Sequence, residues 1–263
     1  MNLPTISIVT ISFNQAPFLE ECLRSVMEQD YPDIDYIVVD PGSTDGSREI
    51  IGRYATSISA AVLEPDKGPA HGLKKGFARA RGSVFAYVNA DDRLLPGALR
   101  FVGEYFAAHE ATDVLCGAIR IVDREGRAAL RRRTADRFDL ARYAAGVCTV
   151  GQQGTFFRRR AFEAAGGFNV RNHVNWDGEL LVDMALTEAR FATVSKVLGD
   201  FRIHGESITG SNRFAALYQR EHVRIAEKIG AWGVPLYSPQ EVRLLRNAYR
   251  FNPLRHLRYL LAR

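Results

Sequence analysis

The stretch from Val84 to Asp92, which reads VFAYVNADD, constrains the fold of this chain more than any other. Its apolar, β-branched and aromatic residues predict a buried strand, and two adjacent carboxylates follow it directly. In a parallel sheet these acids lie at the carboxyl edge, where open α/β folds bind ligands. Two neighbouring negative charges favour a divalent cation, because Mg²⁺ takes one or two protein carboxylates together with substrate phosphates. The alternative is that Asp91 or Asp92 only caps the helix beginning near Leu95.

The residues before this strand predict alternating strands and helices. The predicted strands cover residues 5–12, 33–40 and 60–64, and the predicted helices cover residues 17–27, 47–55 and 70–80. Such alternation with short turns indicates a parallel sheet with right-handed crossovers. Ser12, Asn14 and Asp40 lie where the first two strands end. We therefore expect them to meet Asp91 and Asp92 at one edge of the sheet, as in a nucleotide site.

Two common nucleotide-binding motifs are missing from the sequence. No G-x-G-x-x-G follows the first strand, and G-x-x-x-x-G-K-[ST] does not occur. The sequence therefore disfavours a dinucleotide-dependent dehydrogenase and a P-loop nucleotidase.

The second half of the chain is less regular. We expect helices over residues 96–108, 160–165 and 180–187, strands over residues 113–122 and 191–197, and a hairpin turn at residues 123–126. The hairpin indicates antiparallel pairing. A boundary near residues 211–212 divides the chain into a domain at 1–210 and a helical extension at 211–263.

Composition limits the classes of protein to consider. The chain has 263 residues and is 46% hydrophobic and 25% charged, as expected for one large α/β domain with an appendage. Its three widely spaced cysteines match neither a disulfide framework nor a zinc site, so we expect a reducing compartment. The first residues do not predict a signal peptide, and no run of about 18 uncharged apolar residues predicts a membrane helix.

The net charge of +5 is concentrated at the C-terminus. Between Glu241 and Arg263 the sequence has six arginines, one glutamate and ten large apolar or aromatic residues. This mixture is typical of an interfacial helix pair on an anionic membrane, where each arginine contributes roughly 1 kcal/mol. The alternative is a helix packed on its own domain with a solvated basic face. No nucleic-acid-binding motif accompanies the arginines, so nucleic acid is not an expected partner.

Three motifs, taken in chain order, resemble those of the inverting family-2 glycosyltransferases of GT-A fold. They are SIVTISFN at residues 7–14, VVDPGSTDG at residues 38–46 and NADD at residues 89–92. The resemblance covers about residues 4–207. It implies an α/β fold with a Rossmann-like, mostly parallel central sheet flanked by helices and a small antiparallel acceptor-side part. The nucleotide-sugar half would span about residues 1–95, and the acceptor half about 96–210.

The resemblance implies roles for residues on the nucleotide side. Ser12 and Asn14 match positions that hold the nucleoside, and Asp40 matches the acid that hydrogen-bonds the base or ribose. Pro41 departs from the family pattern, in which aspartate or glycine often follows the acid. As a proline, it removes a backbone donor. Lys74 either reaches the diphosphate or is solvated. The expected nucleotide-sugar-binding residues are Ser12, Asn14, Asp40, Ser43, Asp66, Lys67, Lys74, Asn89 and Asp91.

For the chemistry, the resemblance implies a divalent cation, Mn²⁺ or Mg²⁺, and a catalytic base. Asn89 replaces the first acid of the D-x-D motif, so Asp92 is the expected metal ligand, with Asp91 on the ribose or the metal. His204 would complete the metal or diphosphate site, or be only a hydrogen-bonded loop residue. Asp177 is the expected base, unless it merely caps a helix. Glu179 is the competing base.

The acceptor side has weaker sequence signals. The expected acceptor-binding residues are Gln152, Gln153, Trp176 and Glu179. The glutamines alternatively form a polar loop, and Trp176 either stacks on a sugar or fills the core.

The predicted protein is a cytoplasmic enzyme, peripheral on the inner face of the membrane. It would move a sugar from a UDP-, GDP- or dTDP-linked donor to a glycan or lipid-linked saccharide by single displacement. The alternative is a non-catalytic nucleotide-sugar or glycan-binding relative.

Overall fold

Strands and helices alternate along the first part of the chain in the computed structural model, which describes residues 2–211 and 213–251. In chain order the elements are β1 (Ile6–Ile11), α1 (Ala16–Met27), β2 (Ile34–Val39), α2 (Ser47–Arg53), β3 (Ala60–Val62), α3 (Pro69–Phe77) and β4 (Val84–Asn89). The helices α1 and α3 each carry a proline in the first turn, where a missing N–H costs no helical hydrogen bond. The predicted alternation is confirmed.

The second part adds shorter strands and more helices. Its described elements are β5 (Arg93–Leu94), α4 (Ala98–Ala108), β6 (Val114–Val122), β7 (Ala128–Arg133), α5 (Leu140–Ala144), a 3-10 turn (Gln152–Gly154), β8 (Thr155–Arg158), α6 (Arg159–Ala164), α7 (Trp176–Leu186), β9 (Phe191–Arg202), α8 (Ala215–Ala231) and α9 (Pro239–Phe251). The predicted hairpin joins β6 to β7. The helix expected from residue 180 begins at Trp176, because buried contacts hold its polar first turn. The strand expected to end at residue 197 continues to Arg202, because it pairs with β5 and β6.

One sheet connects the nine strands of the described residues. Its order is β3-β2-β1-β4-β8-β6-β9-β5, with β7 paired to β6. The strands β1, β2, β3 and β4 run parallel, and β8 runs antiparallel to both β4 and β6. The parallel nucleotide half and the antiparallel acceptor-side part are therefore as expected.

The register brings three strand ends level with one another. Ile11 at the end of β1 pairs with Val39 on one side and with Asn89 on the other. The residues that follow, Ser12 and Asp40 among them, therefore leave the sheet at the same edge.

Helices cover both faces of the sheet because the side chains of each strand alternate between two cores. Ile8 of β1 packs in the core under α1 and α4, and the adjacent Val9 packs in the core under α3, α6 and α7. The second core is rich in aromatic rings. Its phenylalanines, with ring centroids 5.0 to 6.4 Å apart, are Phe77, Phe85, Phe157, Phe162 and Phe168.

The C-terminal helices pack against the rest of the chain. α8 buries Ile225 and Ile229 against Val182 of α7. From α9, Tyr249 hydrogen-bonds Asp136, and Arg246 donates to the carbonyl oxygen of Ala145. The division at residue 210 remains a prediction. The arginines predicted to bind a membrane at positions 255, 258 and 263 lie outside the described residues. No described helix is long and apolar enough to cross a membrane.

Candidate functional site

The loops that follow β1 and β2 are joined by hydrogen bonds. The N–H of Asn14 donates to Ser43 Oγ at 2.8 Å, and Asn14 Oδ1 accepts from the N–H of Thr44 at 2.9 Å. Asn14 has a positive φ of 53°, which asparagine tolerates better than most residues. Ser12 Oγ is buried and has no hydrogen-bond partner. The predicted contact of these residues with a nucleoside remains a prediction, and the loops that would make it are rigidly connected.

Asp40 organises the turn after β2. Its Oδ1 atom accepts from the N–H groups of Gly42 and Ser43 at 3.0 and 2.8 Å, and its Oδ2 atom accepts from Ser43 Oγ at 2.6 Å. Arg48 adds an ion pair at 3.3 Å. The carboxylate is fully buried, so it shapes the turn whose backbone lines this edge of the sheet.

A third loop, between β3 and α3, reaches the same edge of the sheet. Asp66 Oδ1 accepts from the N–H of Gly68 at 2.8 Å, and the N–H of Lys67 donates to His71 Nδ1 at 3.0 Å. Lys67 and Lys74 are exposed. Two ammonium groups beside this edge give it a positive field, which suits an anionic ligand.

The two adjacent acids after β4 have different surroundings. Asp92 is buried, and its oxygens accept hydrogen bonds from Gln153 Nε2 at 2.7 Å, from the N–H of Arg202 at 2.9 Å and from Asn89 Nδ2 at 3.2 Å. Burial, followed by the charge of Asp91, raises the pKa of Asp92 well above its usual value. Asp91 keeps 16% of its side chain exposed. The geometry therefore favours Asp91 over the predicted Asp92 as the carboxylate open to a ligand.

His204 lies beside Asp91. Its Nε2 atom is 3.2 Å from Asp91 Oδ2, and its buried ring packs on Phe18 with centroids 4.7 Å apart. The Nδ1 atom of His204 and the Oδ1 atom of Asn89 are buried without hydrogen-bond partners. His204 is therefore held in place against Asp91, and this contact fits both the predicted role at a metal or diphosphate site and the alternative of a hydrogen-bonded loop histidine.

These residues fit a divalent cation that is shared with a ligand. In residues 2–211 and 213–251, no three histidine, cysteine, aspartate or glutamate side chains group closely enough to hold a metal alone. Asp91 and His204 would offer two protein ligands, and Asn89 Oδ1 is a buried acceptor without a hydrogen-bond partner two residues before Asp91. Mg²⁺ sites commonly combine one or two carboxylates with substrate phosphates, so this donor set is sufficient only with such a substrate.

Arg202 holds the backbone around both acids, and sequence reasoning missed it. Its Nε atom donates to the carbonyl oxygen of Asp91 at 2.8 Å, and its guanidinium pairs with Glu21 at 2.5 Å. No local pattern distinguishes this arginine from the others in the chain. Only the pairing of β9 with its neighbours brings it to this edge of the sheet.

Asp177 lies in the first turn of α7. Hydrogen bonds from the backbone N–H groups of Asp177 and Gly178 lower the pKa of the Asp177 carboxyl, but burial outweighs them and raises it. The residue is half-buried. A half-buried carboxylate with a raised pKa suits a general base. The two predicted alternatives, a catalytic base and a residue at the start of a helix, are therefore compatible.

Tyr87 relates the two acidic sites to each other. Burial, then the charge of Asp177, then the charge of Asp92 raise the pKa of the Tyr87 hydroxyl well above its usual value. The Tyr87 hydroxyl accepts a hydrogen bond from Trp176, the residue before Asp177, and its carbonyl oxygen accepts one from Gln152, the neighbour of the Gln153 that donates to Asp92. Sequence reasoning treated Tyr87 only as a strand residue, although its position just before the paired acids was a usable signal.

The predicted acceptor residues are mostly committed to the protein itself. Trp176 is buried in the second core and donates Nε1–H to Tyr87 Oη at 3.1 Å, so it fills the core. Gln152 Nε2 donates to the carbonyl oxygen of Tyr87 at 2.5 Å, and Gln153 donates to Asp92. Among the four predicted acceptor residues, which all lie in the described part of the chain, only Gln152 has a buried side-chain atom, Oε1, without a hydrogen-bond partner.

Glu179 occupies an ion pair in which its carboxylate is buried. Its two oxygens accept from Arg224 at 2.9 and 2.6 Å, and Asn172 donates at 2.8 Å. Burial raises the pKa of Glu179, but these hydrogen-bond donors outweigh burial and lower the pKa to about 2. The geometry gives no support to the prediction that Glu179 contacts an acceptor or competes with Asp177.

Comparison with known proteins gives a consistent family match. The family model for Glycosyl transferase family 2 matches residues 7–166, which is more than half of the chain. A PGL/p-HBAD biosynthesis glycosyltransferase of Mycobacterium bovis is 28% identical over 185 residues, covering 67% of this chain and 69% of the relative. The chain spans 65 to 69% of the length of such curated relatives.

Two solved structures share the fold. S. aureus TarS 1-349 in complex with UDP-GlcNAc superposes with a TM-score of 0.69 at 18% identity, covering 92% of this chain and 70% of that chain. The mannosyltransferase PcManGT from Pyrobaculum calidifontis, in complex with GDP-Man and Mn²⁺, gives a TM-score of 0.61 at 18% identity, covering 100% of this chain and 86% of that chain. These similarities establish the GT-A type of fold.

Proposed function

The chain belongs to glycosyl transferase family 2, and on that premise we propose that it transfers a sugar from a nucleoside-diphosphate sugar to an acceptor hydroxyl with inversion. The observation that carries the proposal is the presence of two acidic sites with different surroundings, one at the end of β4 and one in the first turn of α7. One site, Asp91 with His204, suits a cation and a diphosphate. The other, Asp177, suits a general base. A single displacement needs both, on opposite sides of the sugar.

On the donor side, the loops after β1, β2 and β3 would hold the nucleoside and diphosphate. Asp40 shapes the turn, Ser12 offers an unpaired hydroxyl, and Lys67 and Lys74 supply positive charge. The two solved neighbours bind UDP-GlcNAc and GDP-Man. A nucleoside-diphosphate sugar is therefore the proposed class of donor, with UDP-, GDP- and dTDP-sugars as the candidates.

Asp91 and His204 would hold Mn²⁺ or Mg²⁺ together with the diphosphate. When bound, the cation would stabilise the negative charge that develops on the leaving nucleoside diphosphate. Asp92 would support this site indirectly. Its three hydrogen bonds hold the Asn89–Arg93 turn, which carries Asp91.

Asp177 would take the proton from the acceptor hydroxyl as the new bond forms. General-base catalysis of this kind typically contributes about 10²- to 10⁴-fold to the rate. Its raised pKa makes the carboxylate a stronger base than that of an exposed aspartate. Because one carboxylate acts opposite the leaving group, the reaction would invert the anomeric centre.

The proposed acceptor is a glycan or a lipid-linked saccharide. The name of the mycobacterial relative refers to PGL and p-HBAD biosynthesis. Leu244 of α9 is 69% exposed, and Trp232 and Leu236 between α8 and α9 are also exposed, beside basic residues such as Arg243. We propose that this surface attaches the protein to the inner, anionic face of a membrane, where such acceptors lie.

Vesicle sedimentation tests the membrane part. We expect binding to vesicles of phosphatidylcholine with phosphatidylglycerol, little binding to phosphatidylcholine alone, and weaker binding for Leu244→Asp. Leu63→Asp is the matched control, because Leu63 is also an exposed leucine but follows β3, far from α9 in the sequence. Equal binding by wild type and Leu244→Asp contradicts the role of α9.

A donor panel tests the reaction itself. Wild type, Asp91→Asn and Asp177→Asn are assayed with UDP-, GDP- and dTDP-sugars, Mn²⁺ or Mg²⁺, and glycan acceptors. We expect one donor class to react, both variants to lose transfer, and Asp177→Asn to retain donor binding. Donor binding by wild type without turnover for any donor and acceptor instead supports a non-catalytic binding protein.

A further inference from the structure

The position of Asp177 depends on the first turn of α7. Backbone N–H groups of Asp177 and Gly178 donate to its carboxylate, and no other described residue hydrogen-bonds that carboxylate through its side chain. Any movement of this turn therefore moves the carboxylate. What holds the turn decides where the proposed base lies.

Arg224 of α8 holds that turn through Glu179, two residues after Asp177. Its guanidinium donates to both oxygens of Glu179, at 2.9 and 2.6 Å, in the planar two-pronged geometry that arginine favours. Glu221 pairs with the same guanidinium at 2.8 Å and steadies it. The Glu179 carboxylate is 1% exposed, whereas the Arg224 side chain keeps 40% of its surface exposed, so the carboxylate is the buried partner of the pair.

The contact extends along both helices. Glu179 and Asp183 lie one turn apart on α7 and face Arg224 and Lys228, which lie one turn apart on α8. Lys228 also lies 3.5 Å from Glu179. Next to these pairs, Val182 packs against two fully buried isoleucines of α8. The two helices therefore meet through matched charges beside a small apolar cluster.

Glu179 also binds the loop that leads into α7. Asn169 and Asn172 donate to its oxygens at 3.1 and 2.8 Å. Removing Arg224 would leave the buried carboxylate with only Lys228, at 3.5 Å, and the two asparagine amides to compensate its charge, which is unfavourable. A shift of the turn that brings Glu179 closer to water would relieve this, and Asp177 would shift with it.

We propose that Arg224 is a positioning residue for Asp177, so that the C-terminal helix α8 is part of the catalytic unit. The inference rests on the proposed function for its catalytic consequence. The residues matched by the family model end before both α7 and α8, so this arrangement belongs to the part of the chain beyond that match.

The first test needs no donor or acceptor. The full-length chain carrying ¹³C-labelled aspartate is titrated by NMR, and the Asp177 signal is identified by its loss in Asp177→Asn. We expect Arg224→Met to change the titration of Asp177 and Arg224→Lys to change it less. Arg220→Met, an exposed arginine one turn away on α8, should leave it unchanged. An unchanged Asp177 titration in Arg224→Met overturns the proposal.

The second test uses the donor that reacts best in the panel. We expect Arg224→Met to lower kcat by about 10- to 100-fold, as expected for a misplaced catalytic group, with the donor KM within about twofold of wild type. Arg224→Lys should recover part of the rate, and Arg220→Met should keep it. A wild-type kcat in Arg224→Met, measured below its unfolding temperature, contradicts the proposal.

The two tests separate this inference from the proposed reaction. If wild type transfers sugar from no donor, the reaction fails, and the Asp177 titration alone decides whether Arg224 positions that carboxyl. If Arg224→Met does not fold, Arg224→Lys and Glu179→Gln take its place in both tests. Unchanged Asp177 titration in both substitutes overturns the inference.

Discussion

Asp91 and His204 are 113 positions apart in the sequence, yet Asp91 Oδ2 lies 3.2 Å from His204 Nε2. This contact joins the end of β4 to the residues after β9. We expect Asp91→Asn and His204→Gln each to lower kcat/KM by about 10²-fold or more. Both weaken the hold on the proposed cation, which would stabilise the negative charge on the leaving diphosphate. Both should also weaken Mn²⁺ binding, measured by EPR in the presence of UDP or GDP. Glu206→Gln, an exposed acid 3.9 Å from His204, is the control. Unchanged Mn²⁺ affinity in both variants contradicts the assignment.

Asp92→Ala should act on stability rather than on cation binding. The substitution leaves three donors, from Asn89, Gln153 and Arg202, without their acceptor in a buried site. Each unsatisfied buried donor costs about 1–3 kcal/mol, so we expect the free energy of unfolding in urea to fall by at least about 2 kcal/mol. Normal stability with lost Mn²⁺ binding would instead make Asp92 a direct metal ligand.

The pH dependence of the rate should report Asp177. Burial raises its pKa above the usual 3.8, so the base becomes protonated, and the rate falls, at a higher pH than for an exposed aspartate. We therefore expect the acidic limb of kcat/KM to lie above pH 3.8 and to disappear in the residual activity of Asp177→Asn. Pre-steady-state and steady-state rates over a pH series measure it. An identical acidic limb in Asp177→Asn assigns the limb to another group.

Glu179 should protect the fold against acid. Its pKa is lowered from 4.5 to about 2, so its contribution is complete above pH 4.5 and is lost as the pH falls towards 2. This contribution is about 3 kcal/mol by linkage. Glu179→Gln should be less stable at pH 6, and its deficit relative to wild type should shrink on acidification. Urea unfolding at several pH values measures the difference, with the exposed Glu227→Gln as control. A deficit independent of pH contradicts the predicted titration.

Gly178→Ala should disturb catalysis through packing. A Cβ atom at this position would overlap the Tyr143 hydroxyl and crowd Asn175 Oδ1. Either Tyr143 or the first turn of α7 must move, so we expect kcat to fall by about tenfold or more with donor affinity retained. Isothermal titration with donor and initial rates separate the two effects. Gly52→Ala in α2, where a Cβ meets nothing within 4 Å, should keep wild-type activity. A wild-type kcat in Gly178→Ala would show that Tyr143 or the first turn of α7 can move without affecting catalysis.

The fold was largely predictable because its signals are local. Alternating β-branched strands and amphipathic helices predict a parallel sheet, and polar residues after successive strands predict a ligand-binding edge. The helix α7 was placed too late, because its first turn reads as a polar loop with a glycine. In the structure this turn carries the pair between Glu179 and Arg224, a contact between residues 45 positions apart that no local pattern predicts.

The sequence by itself determined which residues reach the edge of the sheet. A strand that ends in two acids brings both acids to that edge in any parallel sheet. The tertiary structure alone decided which of them opens to a ligand. Asp92 is enclosed by Gln153 and by the N–H of Arg202, 110 positions away, whereas Asp91 faces His204 and the solvent. Burial and hydrogen bonding depend on distant segments meeting in space, and no local pattern of residue types records such a meeting.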